Sequence, residues 1–172
     1  MLMLMVRMRR AHAGLGFFLA AMVMAAMVIA APTGGQAQQL SERAKEFEAL
    51  LRKTGFEFRR INPKVWVTDF KGKQGPKVAV ISSIDDDMSV NFAIIAKKPD
   101  LPTSAEFLTK VVRMNDQFDY VKVGIDKDGD LFVRTDLMLR NLDGQELKQQ
   151  LQQVANAADE AYGQIKPMLR GR

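Results

Sequence analysis

The sequence predicts an α+β fold, an antiparallel β-sheet of about five strands packed with three helices in the order α-βββ-α-ββ-α. Three observations predict it. Apolar periodicity switches between helical spacing and strict alternation along the chain, most clearly at Asn115-Asp116. Helix start signals stand at Thr103 with Glu106 and at Asp143 with Glu146, the capping-box spacing in which each side chain satisfies an orphan backbone N–H. The links between successive strand-like runs are too short for a parallel crossover, so neighbouring strands pair antiparallel.

The first 37 residues read as a signal peptide, which leaves residues 38–172 as the single domain. Arg7, Arg9 and Arg10, with no acidic residue among them, precede an unbroken apolar run from Leu15 to Ala31. Gly35-Gln36-Ala37 then offers small residues where a signal peptidase reads, so cleavage falls before Gln38. The alternative is an uncleaved inner-membrane anchor, because the run sits at the lower edge of what spans a bilayer. Arg9-Arg10 also fits twin-arginine export, but Ala11-His12-Ala13 lacks the hydrophobic follow-up of that route. The chain has no cysteine, hence neither a lipoprotein-type N-terminus nor a disulfide framework.

Removing the leader changes the inventory. Three of the 25 Lys and Arg leave with it and none of the 20 Asp and Glu, so the remaining chain carries net +2. That is no basic footprint for nucleic acid. The only histidine, His12, leaves too, and without His or Cys the chain builds neither a Ser-His-Asp or Cys-His nucleophile system nor the usual zinc site.

Each element has its own signal. Ser41 caps a first helix with Ala44, Phe47, Leu50 and Leu51 at helical spacing, ended by Thr54-Gly55, and Glu42, Arg43, Lys45, Glu46 and Glu48 form its solvated face. Residues 56–63 read as a connector. Val65 to Phe70, Val78 to Ser83 and Met88 to Ala96 read as strands. In the third, Met88, Val90, Phe92, Ile94 and Ala96 share one face, the expected core side, opposite Ser89 and Asn91. The second helix follows Thr103 with a wide stripe of Phe107, Leu108, Val111, Val112 and Met114. Val121, Val123 and Ile125 then alternate into a turn at Asp126 to Asp130, and Leu131, Phe132 and Val133 begin the returning strand. Leu147, Leu151, Val154, Ala158, Ala161 and Ile165 line a long last helix that ends at Pro167.

Several clusters invite sharper chemistry. Asp126-Lys127-Asp128-Gly129-Asp130 starts like a calcium loop, but its glycine is fourth instead of sixth and Leu137 stands where a bidentate Glu belongs, so it reads as a hairpin turn. Asp85-Asp86-Asp87 reads as an acidic turn. Lys71, Lys73 and Lys77 around Gly72 and Gly75 suggest an anion cradle but lack the phosphate-loop pattern, and lysines at a sheet edge also guard against aggregation. Trp66, the only tryptophan, is either core or the anchor of a peptide groove. No catalytic, cofactor-binding or metal-ligating residue is assigned; a carboxylate-based hydrolase is the one enzymatic alternative that needs no histidine.

The segments VWVTDFKGKQGPKVAVISSIDDDMSVNFAIIA and FLTKVVRMNDQFDYVKVGIDKDGDLFVRTDL, followed by the long terminal helix, resemble the YbjN family. The likeness rests on Asn115 closing the second helix, the aromatic-Val-Lys-Val strand, the Asp128-Gly129 turn and Asp136 before the last helix. That family is described as bacterial sensory transduction regulators, and the resemblance implies a fold like that of type III secretion chaperones. It also implies a small non-enzymatic domain that binds protein, often as a dimer, and uses no cofactor.

The expected function is therefore a non-catalytic exported binding module, periplasmic or extracellular, acting through its sheet and second helix. Phe107, Val111 and Met114, with Trp66, are the expected partner-binding residues, for a protein client or a second copy. No nucleic acid is expected, and membrane only if the leader stays attached. The alternative is an envelope sensor or structural protein anchored by Leu15 to Ala31.

Overall fold

Each helix begins at a side chain that caps it. Ser41 Oγ accepts from the Ala44 N–H at the start of α1 (Glu42–Thr54), and Gly55 closes that helix at a φ of +76°, a left-handed conformation that a Cβ would strain. Asp143 accepts from the N–H groups of Gln145 and Glu146 at the start of α3 (Gly144–Ile165). For α2 (Ala105–Gln117) the cap is Ser104, whose Oγ accepts from the Phe107 N–H, and not the expected Thr103. Glu106 is thus one residue too early to reach back to the cap. The Thr103 hydroxyl accepts from Arg170 Nη2 instead.

The computed structural model describes residues 40–75 and 77–170, so the leader read at residues 1–37 lies outside the described residues. Six strands form one sheet: β1 (Phe58–Asn62), β2 (Val65–Phe70), β3 (Val78–Asp85), β4 (Met88–Ala96), β5 (Lys122–Ile125) and β6 (Leu131–Met138). Their order is β1-β2-β3-β4-β6-β5, and every neighbouring pair is antiparallel. The additional strand is the expected connector. Its sequence, FRRIN, does not alternate because four of its five residues are exposed, so neither face of the strand is buried. Asn62 Oδ1 accepts from the Lys64 N–H to make the turn into β2.

All three helices lie on one face of the sheet, the face that buries Trp66, Val80, Asn91, Ala93 and Val133. The stripe expected for α3 is fully buried there, from Leu147 to Ile165. Its 22 residues, about 33 Å of helix, cross the middle of the sheet. At the far edge α2 blocks β5, because Asn115 Oδ1 accepts from the Val123 N–H at 2.8 Å and its Nδ2 donates to the Val123 carbonyl at 3.0 Å. A side-chain amide thereby takes the place of a missing strand and closes one sheet edge.

The sheet corrects one expectation. In β4 it is Ser89, Asn91 and Ala93 that face the helices, while Val90, Phe92 and Ile94 are only half-buried on the other side. The register explains it: Ser82, Asn91 and Thr135 are cross-strand partners, all buried, and Asn91 Nδ2 donates to Ser89 Oγ while Thr135 Oγ1 pairs with Gln150 of α3. This short polar row satisfies part of its own hydrogen bonding beneath the helices. A shift of register between Ile94 and Ala96 returns Ala96 to the core side, so the five residues do not share a face.

The exposed face expected of α1 needs a second correction, at Glu48. Its side chain is 11% exposed and accepts from Trp66 Nε1 at 3.1 Å, Arg60 Nη1 at 3.3 Å and Arg52 Nη2 at 2.5 Å. One carboxylate thus ties α1 to β1 and β2, while the Phe47 ring packs 5.1 Å from that of Trp66. Glu48→Ala leaves the indole N–H buried without an acceptor, and a loss of about 1–3 kcal/mol is expected. Glu46→Ala, two residues away and on the solvated side of the helix, is expected to stay within about 0.5 kcal/mol of the parent. Urea unfolding followed by Trp66 fluorescence reads both; equal midpoints for the two variants would refute the role given to Glu48.

Candidate protein-binding surface

Because the helices occupy one face, the other is left with an apolar centre. Cross-strand register places Arg59, Val67, Ile81, Phe92, Arg134 and Lys122 in one row across all six strands. The middle of the row is apolar and both ends are cationic. Each end has its own carboxylate: Asp69 accepts from Lys77 at 2.9 Å and lies 3.9 Å from Arg59, while Asp136 accepts from Lys122 at 2.7 Å and Arg134 at 3.0 Å. Burial pushes the Asp136 carboxyl up, but the two hydrogen-bonding cations outweigh it and hold the group below the usual carboxylate range. Beside the Arg134 end a shallow hollow of 170 Å³ is lined by Val90, Phe92, Ile94 and Phe132, with Asp126 and Arg134 at its border.

A second apolar surface lies on α2. Its stripe is wider than the sheet can cover, as its spacing predicts, and the structure divides it: Phe107, Val111 and Met114 point inward at 0%, 4% and 0% exposure, whereas Leu108 and Val112 stand out at 45% and 70%. Tyr120 follows at 79% exposure with a φ of +62°, a strained backbone for a bulky residue. Of the residues expected to meet a partner, Phe107, Val111, Met114 and Trp66 are therefore all core side chains of the isolated chain. A partner approaching α2 meets Leu108 and Val112. Alternation in β4 and helical spacing in α2 identified apolar members of the two surfaces but not which side the helices would take.

The other clusters are occupied by internal partners. Asp85 and Asp87 pair with Lys64 and Arg43. In the β5–β6 turn, Asp126 Oδ1 accepts from the N–H groups of Asp128 and Asp130. Asp130 in turn accepts from Lys97 Nζ and the Lys98 N–H, which hold its carboxyl below the usual range. Among the described residues no group of three or more His, Cys, Asp or Glu is placed to hold a metal ion, and no helix is long and apolar enough to cross a membrane.

The lysine loop does cradle an anion, and the anion is the protein's own. Asp159 of α3 accepts from the successive N–H groups of Lys73 at 2.7 Å, Gln74 at 3.0 Å and Gly75 at 3.1 Å. Glycine is required at Gly72, where a Cβ would lie 2.5 Å from Asp159 Oδ1. Burial pushes the Asp159 carboxyl up, but three converging backbone donors prevail and its pKa is lowered. The loop is thereby latched to the last helix.

Comparisons with known proteins bear on this geometry. The model of the YbjN family, described as "Putative bacterial sensory transduction regulator", matches residues 44–167. The crystal structure of YbjN from E. coli is similar at 15% identity and a TM-score of 0.55, over 73% of this chain and 93% of that one. The HopA1–SchA chaperone–effector complex contains a chain similar at 12% identity and a TM-score of 0.50, over 73% of this chain and 99% of that one. No curated protein matches the sequence. These likenesses establish the three-helix, antiparallel-sheet architecture and its relation to the secretion-chaperone fold.

The Asp159 latch has a pH signature. A carboxylate whose pKa is lower in the folded than in the unfolded chain stabilises the fold fully above the unfolded value, and the stabilisation is lost as pH falls through the folded value. Asp159→Asn is expected to be less stable than the parent at neutral pH, with the difference shrinking on acidification as the parent loses the same charge. Unfolding midpoints measured from neutral to acid pH check this, and a difference that does not change with pH would overturn it.

Proposed function

The chain belongs to the YbjN family, and from that premise we propose that it is a non-catalytic protein-binding module with a regulatory or chaperone-like role. The observation that carries this reading is the placement of all three helices on one side of the sheet. Ile81, Phe92, Ile94 and Phe132 are left half-buried on the other side, between two ion-paired rims. An apolar centre inside a polar rim is the usual anatomy of a protein interface. A chain of similar fold occurs in the HopA1–SchA chaperone–effector complex, which supports the reading.

The outer stripe of α2 is assigned to a second copy of the chain. Leu108 and Val112 are one turn apart on the same side of the helix, so two antiparallel copies of α2 bring Leu108 of each against Val112 of the other. The module works outside the cytoplasm after removal of residues 1–37, a reading supported by Arg7, Arg9 and Arg10, the apolar run that follows and the small residues before Gln38.

A native mass spectrum of the protein recovered from its producing cells tests these statements together. The expected species begins at Gln38 and is a dimer or carries the mass of a bound protein. Val112→Asp is expected to give a monomer whose unfolding free energy lies within about 0.5 kcal/mol of the parent, as for other exposed substitutions. Val111→Asp buries an unpaired charge and is expected to unfold the domain. A parent that is monomeric and free of added mass would overturn the binding reading.

A further inference from the structure

The middle of the sheet is split. Strands β3 and β4 pair from Asp85 with Met88 as far as Ile81 with Phe92, and there their ladder stops. Both strands continue. Residues 78–80 of β3 pair only with β2, and residues 93, 94 and 96 of β4 only with β6. The cause lies in β4, whose register with β6 shifts between Ile94 and Ala96; a bulge of this kind bends its strand. At this place a cavity of 310 Å³ is lined by Ala79, Ile81 and Ile94 from the open face of the sheet and by Ala158 and Tyr162 from α3 on the other side. A single hollow is thus bordered by residues of both faces of the sheet. It continues along Ile94, Ile95 and Tyr162 into a second hollow of 470 Å³ bordered by Lys97, Asp100 and Arg170.

Two strand edges that face each other across an apolar gap call for an extended backbone, which alone supplies donors and acceptors along both. The rim sets the charge of the occupant. Lys77 and Lys97 pair with Asp69 and Asp130, and Asp159 is engaged by the loop N–H groups. Among the described residues Arg170 makes no ion pair, its Nη2 donating only to the Thr103 hydroxyl at 3.3 Å. We propose that the cleft between β3 and β4 takes an extended segment of a partner protein, apolar at alternate positions and acidic where it passes Arg170. The inference rests on the protein-binding reading and gives the partner a place separate from the outer side of α2.

Amide hydrogen exchange on the domain tests it, first alone and then with a short synthetic peptide of alternating valine and threonine with one glutamate. In the free chain, those amides of residues 78–80 and 93–95 that point into the gap are expected to exchange faster than those of 82–84 and 89–91; the peptide is expected to slow them by about tenfold or more. Ala79 is exposed at the mouth of the cleft, so Ala79→Trp seats a ring there and is expected to abolish the protection. Arg170→Glu, a surface change that keeps the cleft, is expected to weaken the glutamate peptide and favour one carrying lysine. Slow exchange along both edges of the free chain, or peptide protection unchanged in both variants, would overturn the proposal. If that happens while Val112→Asp still gives a folded monomer from a dimeric parent, the cleft fails and the binding module stands. If the parent is also monomeric and free of added mass, both fail.

Discussion

A six-stranded sheet has two faces to cover, and among the described residues helices cover one. The long helix α3 crosses the middle of that face on a stripe that passes from leucines to alanines, so its backbone lies close to β3, β4 and β6. Side chains larger than alanine at Ala158 or Ala161 would hold the helix away from the strands. Close approach has a consequence for the residues beneath: small side chains are wanted there, and Ser82, Ser89, Ala93 and Thr135 meet that need together with Asn91. The bulky apolar residues of β4 then turn outward. The open apolar face and the polar row under the helix are two results of the same packing.

Carboxylates join the layers that apolar burial alone would leave free to slide. Glu48 binds α1 to the indole of Trp66 and to Arg60 of the edge strand, and Asp159 fastens the β2–β3 loop to α3. Asp130 connects the β5–β6 turn to the end of β4, and Asp136 lies between Lys122 and Arg134 on the outer face. Each of these acids accepts from two or more donors, so its charge is compensated where it stands. This accounts for the acidic and basic clusters that suggest metal or anion chemistry when read one after another along the chain. In the fold they meet internal partners.

The two ends of the sheet are treated differently. Asn115 closes the β5 edge with a pair of hydrogen bonds to Val123, whereas β1 presents Arg59, Arg60 and the exposed Ile61 to solvent. Charged side chains on an edge strand discourage indiscriminate pairing. The break in the ladder between β3 and β4 adds backbone edges in the interior of the sheet, flanked by helix α3 and lined with apolar groups. A module built to hold other proteins would gain selectivity from an edge that only an extended, well-matched segment reaches.

The sequence by itself determined the element order apart from the first edge strand, because caps, glycine stops and changes of period are local signals. Ser41, Gly55 and Asp143 act in the structure as their spacing implies, and four of the strands begin at the expected residues. Alternation also identified which residues of β4 share a side from Val90 to Ile94. What alternation cannot carry is the choice of side, since it depends on how closely a helix far along the chain approaches. Tertiary structure alone therefore put Ser89 and Asn91 inside and Phe92 outside, divided the α2 stripe between Val111 and Val112, and made a strand of residues 58–62, whose exposure on both faces leaves no pattern to read. Glu48 and Asp159 belong to the same class. Their partners lie 18 and about 85 residues away, beyond any periodicity, and meet them only when the helices settle on the sheet.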